Sequence, residues 1–512
     1  MPPGAAFGHL GRVVSRKEKR SVRALLLSFV LAVVLLAAAC AGTRGSRERA
    51  SNKKAVRLVF AGDVMLGRGV APVAAASPSE LFAGIRFEIA SADLAMANLE
   101  SPLTARAHVS GPDALEAKPS SARLLRSAGF DVLSIANNHA GDAGPGTVSD
   151  TMRALKSAQI TVVGAGATRE QAFAARIVRA GDLRVALLAF DTTMEGPPPK
   201  DGDAGVARWD AALAHEAVEA ARARSDIVVV ALHGGAPYAP ESDPYLMRLG
   251  RSLASWGADI VWAAGPHVVQ PVRLIGPKQG RRPAVVATSL GNLIFDQHIP
   301  GTRSGALLEV LAGADGVRAY RVARTVAAAP ASFLGWKKPA ANAVALDGGW
   351  WTLTGAVRLA SVGRAPSLAG FKGKVTAAAI GDAEGNGGRQ LVVSFRRPFS
   401  STKVNVLVPR RRLLDRHNLS AHIGLYRPRD LRPLWVAGTL LRPVARLAVC
   451  DGSLAVAYST LNSSSIAGTG AWRWGGFGFA PLTDLPGSGR PACADVDGDG
   501  RLDPLILERS SR

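Results

Sequence analysis

Residues of the types that bind divalent metal ions follow several short apolar segments in the first part of the chain. They are Asp63, Glu100, Asn138, His139, His233 and His267. Taken singly, each is typical of a turn or of a structural residue after a strand. Their recurrence indicates a shared site, because carboxylate, amide and imidazole groups together suit an ion such as Mn²⁺, Mg²⁺, Fe²⁺ or Zn²⁺.

The apolar segments are the elements that would bring these residues together. Between Val56 and about Val326, apolar runs such as "RLVFAGD" and "DIVVVALHGG" alternate with helix-like stretches such as "DAALAHEAVEAARARS". This alternation predicts an α/β architecture with a largely buried sheet. Open α/β sheets place ligands at the carboxyl ends of their strands. The sequence therefore predicts a metal site at one sheet edge.

Six motifs in this part occur in the order and approximate spacing of one known family. They are "GDVML", "NLESPLT", "ANNHAGDAG", "LHGG", "GPHVVQP" and "SLGNLIFDQ". Residues 56–310 thereby resemble the capsule-synthesis protein CapA family, which is associated with poly-γ-glutamate synthesis and resembles the metallophosphatases in fold. The resemblance implies a domain over residues 55–330, an α+β sandwich of two sheets flanked by helices.

The same resemblance implies roles for individual residues. Its metal ligands would be Asp63, Glu100, Asn138, His233 and His267, and His139 would act as the catalytic acid or base. Two positions depart from the family pattern: Gly234 stands where Trp is usual, and Gly265 stands where a His is expected. The loss of that imidazole weakens the case for a second metal ion, and His108 and His298 are the replacement ligands that the sequence offers.

The stretch "SLGNLIFDQ" offers further polar groups near the same edge. Asn292 and Asp296 are predicted to hydrogen-bond to the metal ligands. The alternative is that the stretch is only a strand and turn of the core.

The N-terminus has the pattern of an export signal. Basic residues between Arg12 and Arg23 precede an apolar run over residues 24–39, which ends at Cys40. The "LLAAAC" sequence resembles a bacterial lipobox, so residues 1–40 are predicted to be a lipoprotein signal sequence with Cys40 as the lipidated residue. Residues 41–54 would then be a flexible tether, and the chain would face outward from the cytoplasmic membrane, at the cell surface or in the periplasm. An uncleaved membrane anchor is the alternative.

Residues 345–512 have short β-like runs without helical periodicity, which predicts an all-β domain. "ADVDGDGRLDPLIL" has the acidic series of a calcium loop, formed by Asp495, Asp497, Asp499 and Asp503. This region resembles FG-GAP, or integrin-type (VCBS-like), propeller repeats, with a degraded upstream copy at Asp382. A polar turn without an ion is the alternative. Cys450 and Cys493 are the two cysteines that could form one disulfide.

Composition limits the classes of function. The hydrophobic fraction of 47% is that of a globular chain, and no nucleic-acid-binding motif appears. The net charge of +22 favours an anionic partner, although a coding bias towards Arg also explains it. The sequence thus predicts an exported protein that acts in the synthesis, release or handling of an anionic surface polymer, together with its synthesis and export machinery. A non-catalytic surface-binding protein and an exported metal-dependent hydrolase of phosphoesters or glutamyl amides stay open.

Overall fold

The computed structural model describes residues 54–508, apart from several short segments. These are residues 107–114, 201, 277–281, 340–342, 347–348, 355–356, 358, 361–367, 369–370, 372, 399–413, 418, 438–439, 441 and 477–478. The predicted signal sequence, Cys40 and His108 lie outside the described residues. Across the part that is described, no helix combines the length and apolarity needed to cross a membrane.

Residues 56–337 contain both strands and helices. The strands are β1 (Val56–Val64), β2 (Leu94–Leu99), β3 (Val132–Ser134), β4 (Thr161–Val163), β5 (Ala165–Gly166), β6 (Arg176–Ala180), β7 (Leu183–Asp191), β8 (Gly205–Val206), β9 (Ile227–His233), β10 (Ile260–Ala264), β11 (Val272–Ile275), β12 (Ala284–Ala287), β13 (Asn292–Ile294), β14 (Ser304–Gly313), β15 (Gly316–Val326) and β16 (Ser332–Lys337). The helices are α1 (Val70–Ala76), α2 (Arg86–Ala90), α3 (Ser121–Ala128), α4 (Thr147–Ser157), α5 (Arg169–Phe173), α6 (Ala211–Arg224) and α7 (Pro244–Trp256), with a 3₁₀ turn at Asn138–Gly141.

Local sequence signals set the ends of the two longest helices. The Asp210 side chain accepts hydrogen bonds from two backbone N–H groups at the start of α6. Asp243 does the same at the start of α7, where Pro244 occupies the first turn. Gly257, in a positive-φ conformation, follows the end of α7. Capping of this kind satisfies backbone groups that a helix end leaves without partners.

Two sheets form the core. β1, β2, β3 and β4 are parallel neighbours at one end of the larger sheet, and β14 and β15 continue it from β1. The second sheet has the order β11-β12-β10-β9-β7-β6. Phe60 and Trp262 pack between the sheets with ring centroids 6.0 Å apart. Helices α6 and α7 cover the outer face of the second sheet. The predicted mixed α/β core is confirmed.

The rest of the described chain is all-β. Its strands are β17 (Ala343–Leu346), β18 (Gly349–Leu353), β19 (Lys374–Gly381), β20 (Gln390–Pro398), β21 (Leu419–Tyr426), β22 (Pro433–Val436), β23 (Val444–Cys450), β24 (Ser453–Thr460), β25 (Ser463–Trp474), β26 (Phe479–Leu485), β27 (Arg490–Ala494) and β28 (Asp503–Leu507). β19 to β22 form one four-stranded sheet and β23 to β26 form another. β23 lies beside both β19 and β27, and a Cys450–Cys493 disulfide joins β23 to β27.

The last hairpin of the described chain belongs to the sheet of the core. β28 pairs with β17, β17 pairs with β18, and β18 pairs with β15. The two regions predicted as separate domains therefore share one continuous sheet. A propeller arrangement of the C-terminal strands stays a prediction.

Candidate metal centre

Parallel pairing places the key residues in two rows. Asp63 on β1 is the register partner of Asn98 on β2 and of Asn292 on β13. In the second sheet, His233 at the end of β9 is the partner of Asp191 on β7 and Ala264 on β10. The two rows meet at the carboxyl ends of the strands, as the sequence predicts for an α/β ligand site.

Asp63 lies at the centre of the cluster and is fully buried. Its Oδ1 accepts a hydrogen bond from Asn98 Nδ2 at 2.8 Å, and its Oδ2 accepts one from the Gly265 N–H at 3.1 Å. His267 Nδ1 is 3.3 Å from Oδ2. Burial alone would raise the pKa of Asp63, but the hydrogen bond from His267 and the positive charge of that ring outweigh it and lower that pKa. Asp63 is therefore an ionised acceptor at neutral pH.

Glu100 directly follows β2 and is 1% exposed. Its Oε1 lies 3.8 Å from Nε2 of His139, 3.9 Å from Nε2 of His233 and 3.8 Å from Nε2 of His267. Its Oε2 is buried and has no hydrogen-bond partner in the described part of the chain. Burial, together with the charge of Asp63, raises the pKa of Glu100 to about 7. A buried carboxylate oxygen without a partner is costly unless a cation or proton binds there.

His267 links these two carboxylates. Its Nδ1 also lies 3.0 Å from Asn292 Oδ1, and its ring stacks against Tyr238 and packs edge-on against Phe295. Burial would lower the pKa of His267, but the charge of Glu100 and the hydrogen bond to Asp63 raise it to about 9. Ligand atoms of Asp63, Glu100 and His267 all lie within 4.8 Å of one another. This triad supplies two carboxylates and one imidazole, a donor set that suits a divalent ion.

His233 is held by amide side chains on both nitrogens. Asn98 Nδ2 is 3.1 Å from Nδ1, and Asn138 Oδ1 is 2.9 Å from Nε2. Because an amide nitrogen can only donate, Nδ1 is the acceptor and Nε2 carries the proton towards Asn138. Burial lowers the pKa of His233 to about 4, so the ring is neutral at neutral pH. The structure thus places the predicted ligands Asn138 and His233 beside the triad, hydrogen-bonded to each other.

His139 lies at the mouth of the cluster, in the 3₁₀ turn after β3. Its Nδ1 is 3.0 Å from the Asp142 carboxylate, and its Nε2 faces Glu100. Burial would lower the pKa of His139, but the Asp142 hydrogen bond and the Glu100 charge raise it above its usual value. The arrangement fixes the ring with Nε2 towards the triad, the geometry that a proton donor at this site requires.

The remaining predicted residues divide into two groups. Asn292 contacts His267 and donates to Gln297 Oε1 at 2.9 Å, in agreement with a positioning role. Asp296 instead binds the Arg68 guanidinium and the Gly69 N–H, and it does not contact the triad. The Arg68 guanidinium lies 5.6 Å from the centroid of the Phe295 ring. His298 is exposed and joins no described metal-ligand group, so it does not replace the missing imidazole.

The two departures from the family motifs lie in contact with each other. Gly265 has φ +110°, and a Cβ built there would lie 2.8 Å from the Gly234 nitrogen. A Cβ on Gly234, at φ +146°, would lie 2.2 Å from Thr192 Oγ1. The loops that follow β9 and β10 therefore contact each other through backbone atoms of the two glycines, with no side chain between them. A side chain at either position would strain this crossing.

Sequence reasoning missed three residues of the site. Asn98 donates to Asp63 and contacts His233, Asn137 donates to the Leu99 carbonyl, and Asp142 orients His139. Two signals were available in the sequence. Asn98 stands two residues before Glu100 in "MANLE", and Asp142 stands three residues after His139 in "NHAGD".

The C-terminal loop brings three of its four predicted carboxylates together. Ligand atoms of Asp495, Asp497 and Asp503 lie within 4.8 Å of one another, whereas Asp499 is outside this group and accepts from the Arg501 N–H. The upstream copy differs chemically. There the Asn386 and Gln390 amides donate to one Glu384 oxygen at 3.0 and 3.1 Å, so amides occupy the acceptor that a cation would need.

Comparison with known proteins assigns a family to the region that carries the Asp63, Glu100 and His267 triad. Residues 57–297 match the model of the bacterial capsule synthesis protein PGA_cap. The chain is 29% identical over 256 residues to the PGA biosynthesis protein CapA of Bacillus subtilis, a match that covers 49% of this chain and 66% of that protein. It is 27% identical over 312 residues to the capsule biosynthesis protein CapA of Bacillus anthracis, covering 58% and 74%.

Two solved structures show weaker likeness. The NAD nucleotidase of Haemophilus influenzae aligns with a TM-score of 0.34 and 12% identity, over 55% of this chain and 50% of that one. The protein TT1561 of Thermus thermophilus aligns with a TM-score of 0.29 and 12% identity, over 51% and 99%.

Proposed function

Because residues 57–297 belong to the bacterial capsule synthesis protein family, we propose that the chain acts in the synthesis, release or handling of an anionic cell-surface polymer such as poly-γ-glutamate. One of the two CapA relatives is named for PGA biosynthesis and the other for capsule biosynthesis. The surplus of 22 positive charges agrees with a polyanionic partner. We further propose that the chain is exported and anchored through Cys40, where it would meet the polymer and its export machinery.

The observation that carries the proposal is the Asp63, Glu100 and His267 triad. Its ligand atoms lie within 4.8 Å of one another, and the buried Oε2 of Glu100 has no hydrogen-bond partner among the residues that the structure describes. The residues present therefore fit a divalent ion, which these three side chains would hold. A bound divalent ion supplies Lewis acidity and lowers the pKa of a bound water.

The surrounding residues would each have a separate task. Asn292 holds the His267 ring, and Asn98 fixes the Asp63 carboxylate. His139, with its pKa raised and its ring held by Asp142, would deliver a proton from Nε2 to a leaving group beside Glu100. This division of tasks supports hydrolysis or transfer at a phosphoester or glutamyl amide bond.

The Gly265 position favours one ion over two. Where the family motif has an imidazole, this chain has a backbone N–H that donates to Asp63. His233 and Asn138 would serve a second ion only after their mutual hydrogen bond was released. The same observation is what favours the second candidate function, a non-catalytic polymer-binding protein with a reduced metal site.

The proposal is tested in the organism that carries the chain by exchanging Asp63→Asn at its own locus. We expect cell-associated anionic polymer, measured as glutamate after acid hydrolysis, to fall several-fold. Asp182→Asn is the matched control, because Asp182 is exposed and belongs to no described metal-ligand group. Unchanged polymer with the Asp63→Asn protein present at the wild-type level would overturn the proposed function.

A further inference from the structure

A cavity of about 670 Å³ lies where the two four-stranded sheets of the C-terminal region meet. Its walls come from β19, β20 and β23 and from the segments that follow residue 414 and residue 458. It is separate from the triad, since none of its described lining residues belongs to the sheets that carry Asp63 and His233.

The lining of this cavity is strongly basic. Its described lining includes Lys374, Arg396, Arg416 and Arg446, and among those described residues Asp415 is the single carboxylate. Arg396 pairs with Asp415 at 2.9 Å, and no described residue forms a hydrogen bond with the buried Arg396 Nε. The hydrogen bonds that Asp415 accepts, including that from Arg396, hold its pKa below the usual range although burial opposes this. Asp415 therefore stays ionised and neutralises only Arg396.

Three cations remain for a ligand. Among the described residues, the structure pairs neither Lys374 nor Arg416 nor Arg446 with a carboxylate. All three line the cavity and are exposed, so a ligand from solvent can reach their charges. Clustered like charges repel one another, and an anionic ligand relieves that repulsion.

The chemistry of the lining selects among anionic ligands. Arg and Lys pair well with carboxylates, and Arg does so in a bidentate geometry. Among the described lining residues there is no Phe, Tyr or Trp on which bases could stack, which disfavours single-stranded nucleic acid. Several separate cations around one cavity favour a ligand that repeats its negative charge along a chain.

We propose that this cavity binds a stretch of a polycarboxylate chain, as a second polymer site separate from the metal centre. The choice of a polycarboxylate rests on the proposed function, since that function supplies such a polymer. The metal centre would act at one position of the chain while the basic cavity holds another, and two linked contacts raise the overall affinity beyond that of either one.

The test measures binding of fluorescently labelled poly-γ-glutamate to the full chain by anisotropy at low salt. Arg416→Glu combined with Arg446→Glu should weaken binding by at least about tenfold, because two charge-assisted contacts become repulsive. The matched control is Arg473→Glu combined with Arg490→Glu, which changes the same charge at exposed positions outside the lining. The control should bind within about twofold of the wild type.

Each other outcome separates this inference from the proposed function. An equal loss in the control variant would show non-specific attraction and overturn the inference. Loss of binding in Asp63→Asn but not in the cavity variant would leave the metal centre as the sole polymer site and also overturn it. Phosphatidylglycerol vesicles that bind through the same arginines, with no polymer binding, would assign the cavity to a membrane surface instead. Cavity-dependent binding together with normal cellular polymer in Asp63→Asn would support the inference while the proposed function fails.

Discussion

Glu100 and His267 each bind a proton below their raised pKa values, and a metal ion would have to displace those protons. The pKa of Glu100 is raised to about 7 and that of His267 to about 9. A metal ion binds the ionised carboxylate and the neutral imidazole, so binding below these values releases protons.

The first prediction follows from that competition. The apparent affinity for Mn²⁺ or Zn²⁺ should rise as pH increases from about 6 to about 9, by roughly tenfold per pH unit where one proton is displaced and more steeply below about 7. Above about 9 the affinity should level off. Isothermal titration calorimetry in buffers of different ionisation enthalpy measures both affinity and proton release. An affinity that is flat over this range, with no proton release, would contradict the coupling.

Gly265 is the second residue-scale test. Gly265→Ala should destabilise the protein by about 1–3 kcal/mol, because a Cβ would meet the Gly234 nitrogen and the φ of +110° is strained for other residues. Urea unfolding measures the change. Gly276→Ala is the control, with nothing within 4 Å of its Cβ, and should change stability by less than about 0.5 kcal/mol. Equal stability of the two variants would show that the loop crossing tolerates side chains.

Residue types and spacing predicted which side chains of the candidate site lie close together, for a physical reason. Asp63 and His233 end apolar runs, and parallel strands bring their carboxyl ends to one edge. Asn98 was missed because its partners, Asp63 and His233, lie on other strands, whereas Asp142 lies three residues after His139 and its role follows from that local spacing. The sequence pattern carries little information about partners that are distant in the chain.

At the scale of elements, the C-terminal hairpin shows where sequence reasoning stops. The strand pattern predicted β27 and β28 as parts of a separate domain, but β28 pairs with β17 and extends the core sheet. Alternating apolar residues define a strand without naming its neighbour.

The loop between these two strands carries the third prediction. About millimolar calcium should raise the melting temperature of the chain, because Asp495, Asp497 and Asp503 lie within 4.8 Å of one another and a cation relieves their repulsion. Asp497→Asn should remove much of the shift. Asp382→Asn in the upstream copy should leave the calcium-induced shift intact, since side-chain amides already occupy the Glu384 oxygen of that copy. Melting that is independent of calcium would show a polar turn only.

At the scale of the whole molecule, the predicted cellular location of the protein rests on residues outside the described part. Cys40→Ser should remove the lipidation site and move the chain from the membrane fraction to the soluble fraction. Immunoblots of separated fractions, with the processed mass from mass spectrometry, measure this. Unchanged retention and mass in Cys40→Ser would favour an uncleaved anchor.

The central claim is that Asp63, Glu100 and His267 bind a divalent ion. The most direct test is the metal content of the purified full chain after chelation, reloading and desalting, measured by inductively coupled plasma mass spectrometry. Asp63→Asn is compared with wild type and with Asp182→Asn, and melting curves confirm that each protein is folded. We predict about one Mn²⁺, Fe²⁺ or Zn²⁺ ion per chain in wild type and in Asp182→Asn, and far less in Asp63→Asn. No transition metal in any of the three folded proteins, or equal metal in all of them, would contradict the claim.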